Sequence, residues 1–362
     1  MTARARRRGA ASSPAARGAP AEAFPPGPAV TGLAFVPLRR LVVVRPRVAV
    51  PIEPGDRVHV APDAVVAPGD LLVERVREGR LVEVAAPRGP AAGSAPGPGA
   101  WIPAGPERVG RRGASVPAGE LIFEARDRRR LVSGPHPDHL EAPIAGRVVD
   151  VQPGAALVLD LEAVGLPGTS LLGEPVRGRL VVLPGEGDAR PALDVALAGA
   201  IVVLGSRADV ETLTRARAMG IHGAVVAALS DRDRRDFAAS EARQRAGLHG
   251  LPPFGVLVLD GTVRRPIPGP IRAILGALAG GEVGLVGDPP LLVASPTAGG
   301  LPVPAPDQVR LRGGEDAGSE GRWLGPAGIR RLRLGVTAEC GRVRLDDGRT
   351  VVVPLGDVER FA

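Results

Sequence analysis

Two eighteen-residue stretches set the strongest limit on what this chain can fold into. VVAPGDLLVERVREGRLV (65–82) and SVPAGELIFEARDRRRLV (115–132) align without a gap, with Gly69 over Gly119, Leu71 over Leu121, Glu74 over Glu124, and the closing Arg-Leu-Val in both. Each copy reads as a turn at Gly followed by an acid, an apolar run of strand length, a charged turn and a second short run. A further turn of the same kind, Pro54-Gly55-Asp56, precedes the first copy. Glycine supplies the backbone freedom such turns need, and short β-branched runs between closely spaced turns argue for small antiparallel sheets closed into barrels or sandwiches. The repeat predicts two superposable halves with Gly69 and Gly119 at equivalent turns.

The rhythm changes at Gly199. From there GAIVVLGS, IHGAVVAAL, GVLVLDG and VGLVG read as apolar strands. They alternate with helices over RADVETLTRARAMG, SDRDRRDFAASEARQRAG and PIRAILGALAG. Alternating strands and helices with near-continuous apolar strands predict a parallel sheet covered on both faces. The organisation expected is a basic disordered tail (1–28), a β-rich region (29–198) interrupted by a Pro/Gly insertion (86–113), a small α/β domain (199–294), a linker (295–306) and a last small β barrel (307–362). The fold class is therefore mixed β and α/β. Trp101 is the one large aromatic of the insertion, a candidate partner anchor or a side chain folded back on the barrel.

All 46 basic residues are arginine, and lysine, asparagine and tyrosine do not occur. The missing types share AT-rich codons, so genomic base composition accounts for the pattern. It also means that the formal charge of +7 is poor evidence for nucleic-acid binding, because more than half of it sits in the tail. The absence of lysine excludes a Walker-type phosphate lysine, a pyridoxal-phosphate Schiff base and any lysine general base. Cys340 stands alone, which excludes intrachain disulfides and multi-cysteine metal sites. No apolar stretch reaches the roughly 18 residues of a membrane-spanning helix, and the charged start lacks a hydrophobic signal core. The expected location is cytoplasmic, with no membrane span and no cofactor.

Two resemblances follow from particular residues. VAVPIEPGDRVHVAPDAVVAPGDLLVERV together with LEAPIAGRVVDVQPGAALVLDLE, within 45–165, resembles the barrel-sandwich hybrid of lipoyl-like domains. Carrier members of that family acylate a lysine at a hairpin tip, and this chain has no lysine to acylate. The resemblance thus implies a non-carrier member, a rigid spacer or docking module. The final segment, through Val309, Arg310, Gly318, Gly321, Arg322 and the Asp346-Asp347-Gly348 hairpin, resembles a KOW-type small barrel, whose usual partners are RNA or transcription and translation proteins. Its glycine loop GGEDAGSEG is acidic, and base-stacking aromatics are confined to Trp323 and Phe361.

Candidate sites are few. In parallel sheets ligands sit at the carboxyl ends of the strands. Those ends offer Ser206, Ser230, Asp231, Asp260 and Asp288, which could line a polar pocket but are also the residue types that strand-to-helix turns require. His222 shares the domain with Ser206 and Ser230, so a hydrolytic triad is open on composition, although no nucleophile elbow supports it. His136, Asp138, His139 and Glu141 form the one local cluster of metal-capable groups. The prolines at 135 and 137 impose an extended loop in which the imidazoles need not converge, so no metal is expected. The expected function is a non-catalytic scaffold or binding protein that contacts another protein. The alternatives are a small-ligand or enzymatic α/β domain using its strand ends, and an RNA-associated protein acting through the last barrel, although nucleic acid is not the expected partner.

Overall fold

The computed structural model describes residues 32–77, 81–85, 121–125, 128–132, 136–184, 189–206, 208–247, 253–297, 299–332 and 335–362. The predicted tail, the Pro/Gly insertion with Trp101, and Gly119 lie outside them. The described chain is β-rich with three α-helices.

A mixed nine-stranded sheet forms the centre. Its order is Ser170–Gly173, Gly255–Val258, Gly223–Val226, Ile201–Gly205, Val176–Val182, Glu282–Val286, Leu291–Ala294, Val164–Pro167 and Val43–Val44. Only the four strands from Val176–Val182 through Gly255–Val258 run parallel to one another. This corrects the sequence reading in two ways. The sheet recruits 164–182, assigned above to the β-rich region, and Glu282–Val286 with Leu291–Ala294 is an antiparallel hairpin.

Alternation along the parallel strands explains the two covering layers. Ile201 and Val203 face one side with Val225 and Leu257, where α3 (Gly269–Leu278) packs Ile271, Ile274, Leu275 and Leu278 against them. Val202 and Leu204 face the other side with Val226 and Val256, under α1 (Val210–Ala218) and α2 (Asp231–Gly247). Each strand is buried on both faces, which is why these runs carry almost no polar residue.

Strands within 47–77 and 136–161 build a two-layer sandwich. One layer orders Arg47–Pro51, Ala156–Leu161, Gly146–Gln152 and Val65–Val66; the other orders His136–Glu141, Leu71–Arg77 and Arg57–Val58. Val48, Val50, Leu72, Val148, Leu157 and Leu159 fill the interior, which continues into Leu291 and Val293 of the central sheet.

The two repeat copies do not form matching halves. Val73 pairs with Leu140, Arg77 with His136, Leu81 with Val132 and Ala85 with Arg128, all in one antiparallel register. The first copy thus pairs with 136–141 and, at its end, with 128–132 in the same register. The second folds back on itself, Leu121–Ala125 pairing with Arg128–Val132. Equivalent residues of the copies cross where Leu81 faces Val132 and Val82 faces Leu131. Gly69 takes the turn expected of it, at φ 90°.

The final sheet orders Leu38–Arg39, Val358–Phe361, Gln308–Leu311, Glu320–Arg331, Thr337–Leu345 and Thr350–Pro354. Its core of Val309, Leu311, Trp323, Val343 and Val358 also takes Leu33 and Val36. The segment 33–44 is thus a strap. It fills the last core, pairs in parallel with Val358–Phe361, then ends beside Val164–Gly165 of the central sheet. The sequence reading placed this strap in the β-rich region; its apolar residues find their cover elsewhere.

Candidate functional site

At the carboxyl edge of the parallel strands, Asp209, Ser230 and Asp260 are committed to the chain's own contacts. Ser206 follows Gly205, whose φ of 72° turns the chain out of its strand. Asp209, three residues on, accepts hydrogen bonds from the Thr212 backbone N–H at 2.8 Å and the Thr212 hydroxyl at 2.7 Å, capping α1. Burial alone would raise the Asp209 carboxyl. The two Thr212 bonds and the charges of Arg190 and Arg264 outweigh it and hold the group below the usual carboxylate range. Ser230 caps α2 in the same manner, its Oγ accepting the Asp233 N–H at 3.1 Å. Asp231 opens α2 and is exposed.

Asp260 has a different task. Its Oδ1 accepts from Arg39 Nη1 at 2.8 Å and its Oδ2 from Arg310 Nη1 at 2.7 Å. Arg310 is 1% exposed and also reaches Glu359 Oε1 at 3.4 Å and the Pro266 carbonyl at 2.9 Å. Strap, central sheet and last sheet thereby meet on one carboxylate. A second tie crosses the same junction: Glu320 of the last sheet accepts the Gly269 N–H at the start of α3.

Asp288 leaves the group altogether. It sits at the exposed tip of the 282–294 hairpin, where its carbonyl accepts the Ala49 N–H at 2.7 Å. The triad also fails on geometry. His222 precedes the strand Gly223–Val226 and Ser230 follows it, so they occupy opposite edges of the sheet. The metal-capable run 136–141, expected to be a loop, is a strand paired with 71–77. Strand alternation sends Asp138 and His139 to opposite faces. Among the described residues no three His, Cys, Asp or Glu groups converge.

A cleft lies at the other edge, between the sandwich and the amino ends of the parallel strands. It encloses about 430 Å³ lined by Glu141, Arg177, Arg179, His222 and Glu282, over a floor of Gly178, Gly199 and Ala200. Arg177 and Arg179 are two apart on one strand and so share a face. His222 Nδ1 donates to the Arg177 carbonyl at 3.0 Å, which fixes the tautomer when the ring is neutral and leaves Nε2 as its second functional atom. Arg177 lies across Gly69, where a Cβ would stand 2.7 Å from Nη1, and its Nη2 is 3.7 Å from Glu282. Sequence reasoning missed this cleft, although the alternation in VRGRLVV carries the pairing of its two arginines. Two guanidiniums balanced by two carboxylates make a polar junction, with no serine, threonine or cysteine among its lining residues.

Comparison with protein-family models, with curated proteins and with solved structures finds no match to this chain. No helix among the described residues is long and apolar enough to cross a membrane.

Proposed function

We propose that this chain is a non-catalytic multi-domain scaffold that contacts another protein. In this reading the sandwich is a lipoyl-like module without a carrier lysine, acting as a rigid spacer, and the last sheet is a KOW-type module turned to protein contact. One observation carries it: Asp260, the acid best placed at the carboxyl edge for ligand chemistry, is committed to Arg39 and Arg310 across the module junction. Ser230, beside it, is committed to a helix cap. Residues at the usual ligand position hold the modules together.

The test is a thermal-shift screen of the full chain against metabolites, nucleotides and divalent metals. Anything that binds the native state alone raises the melting temperature in proportion to the logarithm of its concentration. The expected result is no saturable stabilisation. A metabolite or nucleotide that stabilises saturably, and loses that effect on substitution of Ser206 or Asp231, would replace this reading with a ligand-binding α/β domain.

A further inference from the structure

The last sheet carries a surface that its fold does not explain. Trp323, Val343 and Leu345 point into the core, so strand alternation turns Arg322, Arg342 and Arg344 outward, and all three are exposed. The register sets Arg322 directly opposite Arg344. Side chains in that relation stand about 4.5–5.5 Å apart at Cβ, and like charges there destabilise a sheet. Arg322 has one distant carboxylate, Asp307, at 3.6 Å. Arg342 and Arg344 have no ion-pair or hydrogen-bond partner among the described residues.

The ground beside them is partly apolar. In the register Arg342 lies between Gly325, itself buried, and Val352. Leu324 is 42% and Val352 50% exposed. Two unpartnered guanidiniums and two apolar side chains form a small mixed patch. Carboxylates border it: Asp346 and Asp347 follow Arg344 in the next turn. A nucleic-acid backbone crossing the patch would run onto those acids, whereas a short segment bearing two negative charges would not.

We infer that this face docks an extended acidic segment of a partner protein. Arg342 and Arg344 are two residues apart on one strand, about 6.8 Å, which is the spacing of alternate side chains in an extended peptide. Carboxylates at positions i and i+2 of the segment meet the two guanidiniums, and Leu324 and Val352, on the strands either side of Arg342, give it apolar ground. This rests on the scaffold reading and names the chemistry of its partner.

The experiment uses the full chain and a fluorescent peptide, Leu-Ser-Glu-Ser-Glu-Ser-Leu. A permuted peptide of the same composition places its two glutamates on adjacent positions, and a single-stranded RNA oligonucleotide provides the polyanion control. Binding is followed by anisotropy at two salt concentrations for the native chain, Arg344→Gln and the double variant Arg342→Gln/Arg344→Gln. The expected result is saturable binding of the first peptide, weakened by salt and lowered about tenfold or more by the double variant. The permuted peptide should bind several-fold less, and both variants should melt at or above the native temperature because a like-charge contact is relieved. Absent peptide binding, equal binding of both peptides, tighter binding of RNA, or variants that melt lower with unchanged affinity would each overturn the proposal. None of these except RNA binding bears on the metabolite screen, so the surface can fail while the scaffold reading stands.

Discussion

Asp260 Oδ2 lies 2.7 Å from Arg310 Nη1, and the two residues belong to different sheets. With Arg39 at 2.8 Å on the other oxygen, the carboxylate is shared by two guanidiniums from segments far apart in sequence. The junction is therefore a charge cluster closed to water on the Arg310 side.

Removing one member should leave the others buried and uncompensated. Arg310→Ala is expected to lower stability by about 3–5 kcal/mol. Asp260→Asn is expected to lower it too, because its single amide oxygen can accept from only one of the two arginines and its NH2 then faces the other. Chemical denaturation followed by circular dichroism measures both. A loss below about 1 kcal/mol for Arg310→Ala would mean that the sheets do not depend on this cluster.

Asp209→Ala removes the cap of α1 and is expected to cost about 1 kcal/mol at neutral pH. The pH dependence has a definite sign. The folded-state carboxyl titrates below its unfolded value, so its contribution is complete above about pH 4 and lost as the pH falls through the folded value. The difference between native and variant chains should therefore shrink on acidification. A difference that stays constant down to strongly acid pH would assign the effect to packing.

Gly341→Ala drives a methyl into the Trp323 indole, whose ring atoms lie 2.0 and 2.1 Å from the position of the new Cβ. An overpacked core of this kind loses about 1–3 kcal/mol. The chain has two tryptophans, so in a Trp101→Phe background the indole emission reports Trp323 alone. A shifted emission maximum with lowered stability is expected, and an unchanged spectrum would contradict the packing described.

Gly284→Ala tests the contact between sandwich and central sheet, because its Cβ would stand 2.4 Å from the Pro143 Cβ. Neither neighbour is the end of a flexible chain. Lowered stability with increased proteolysis between 136 and 146 is the expected result of prying the layers apart, and an indifferent variant would mean that they are not in firm contact.

What could be read from the sequence was local. The apolar parallel strands, their helices and the Gly69 turn follow from period and turn chemistry. Partnership over long distances did not. The strap 33–44 carries apolar residues like those of any strand, and nothing in them specifies that Leu33 joins a core built from residues beyond 300. The repeat was read as symmetry because its copies share residues. Strand pairing depends instead on what each copy meets: the first meets 136–141, while the second folds back on itself and pairs with the end of the first. Asp260 was picked out by its place at a strand end, but the arginines that claim it are 221 and 50 residues away in sequence. The patch on the last sheet became visible only once register set Arg322 against Arg344.

The register shared by two separate pairings also bears on how the chain can vary. Strands 71–77 and 136–141 are neighbours in one layer of the sandwich, and 81–85 pairs with 128–132 in the same register. Flexible chain added between paired ends of this kind costs closure entropy that grows only with the logarithm of its length, about 0.6 kcal/mol for each doubling. Cargo can therefore be spliced in at the far end without taxing the sandwich.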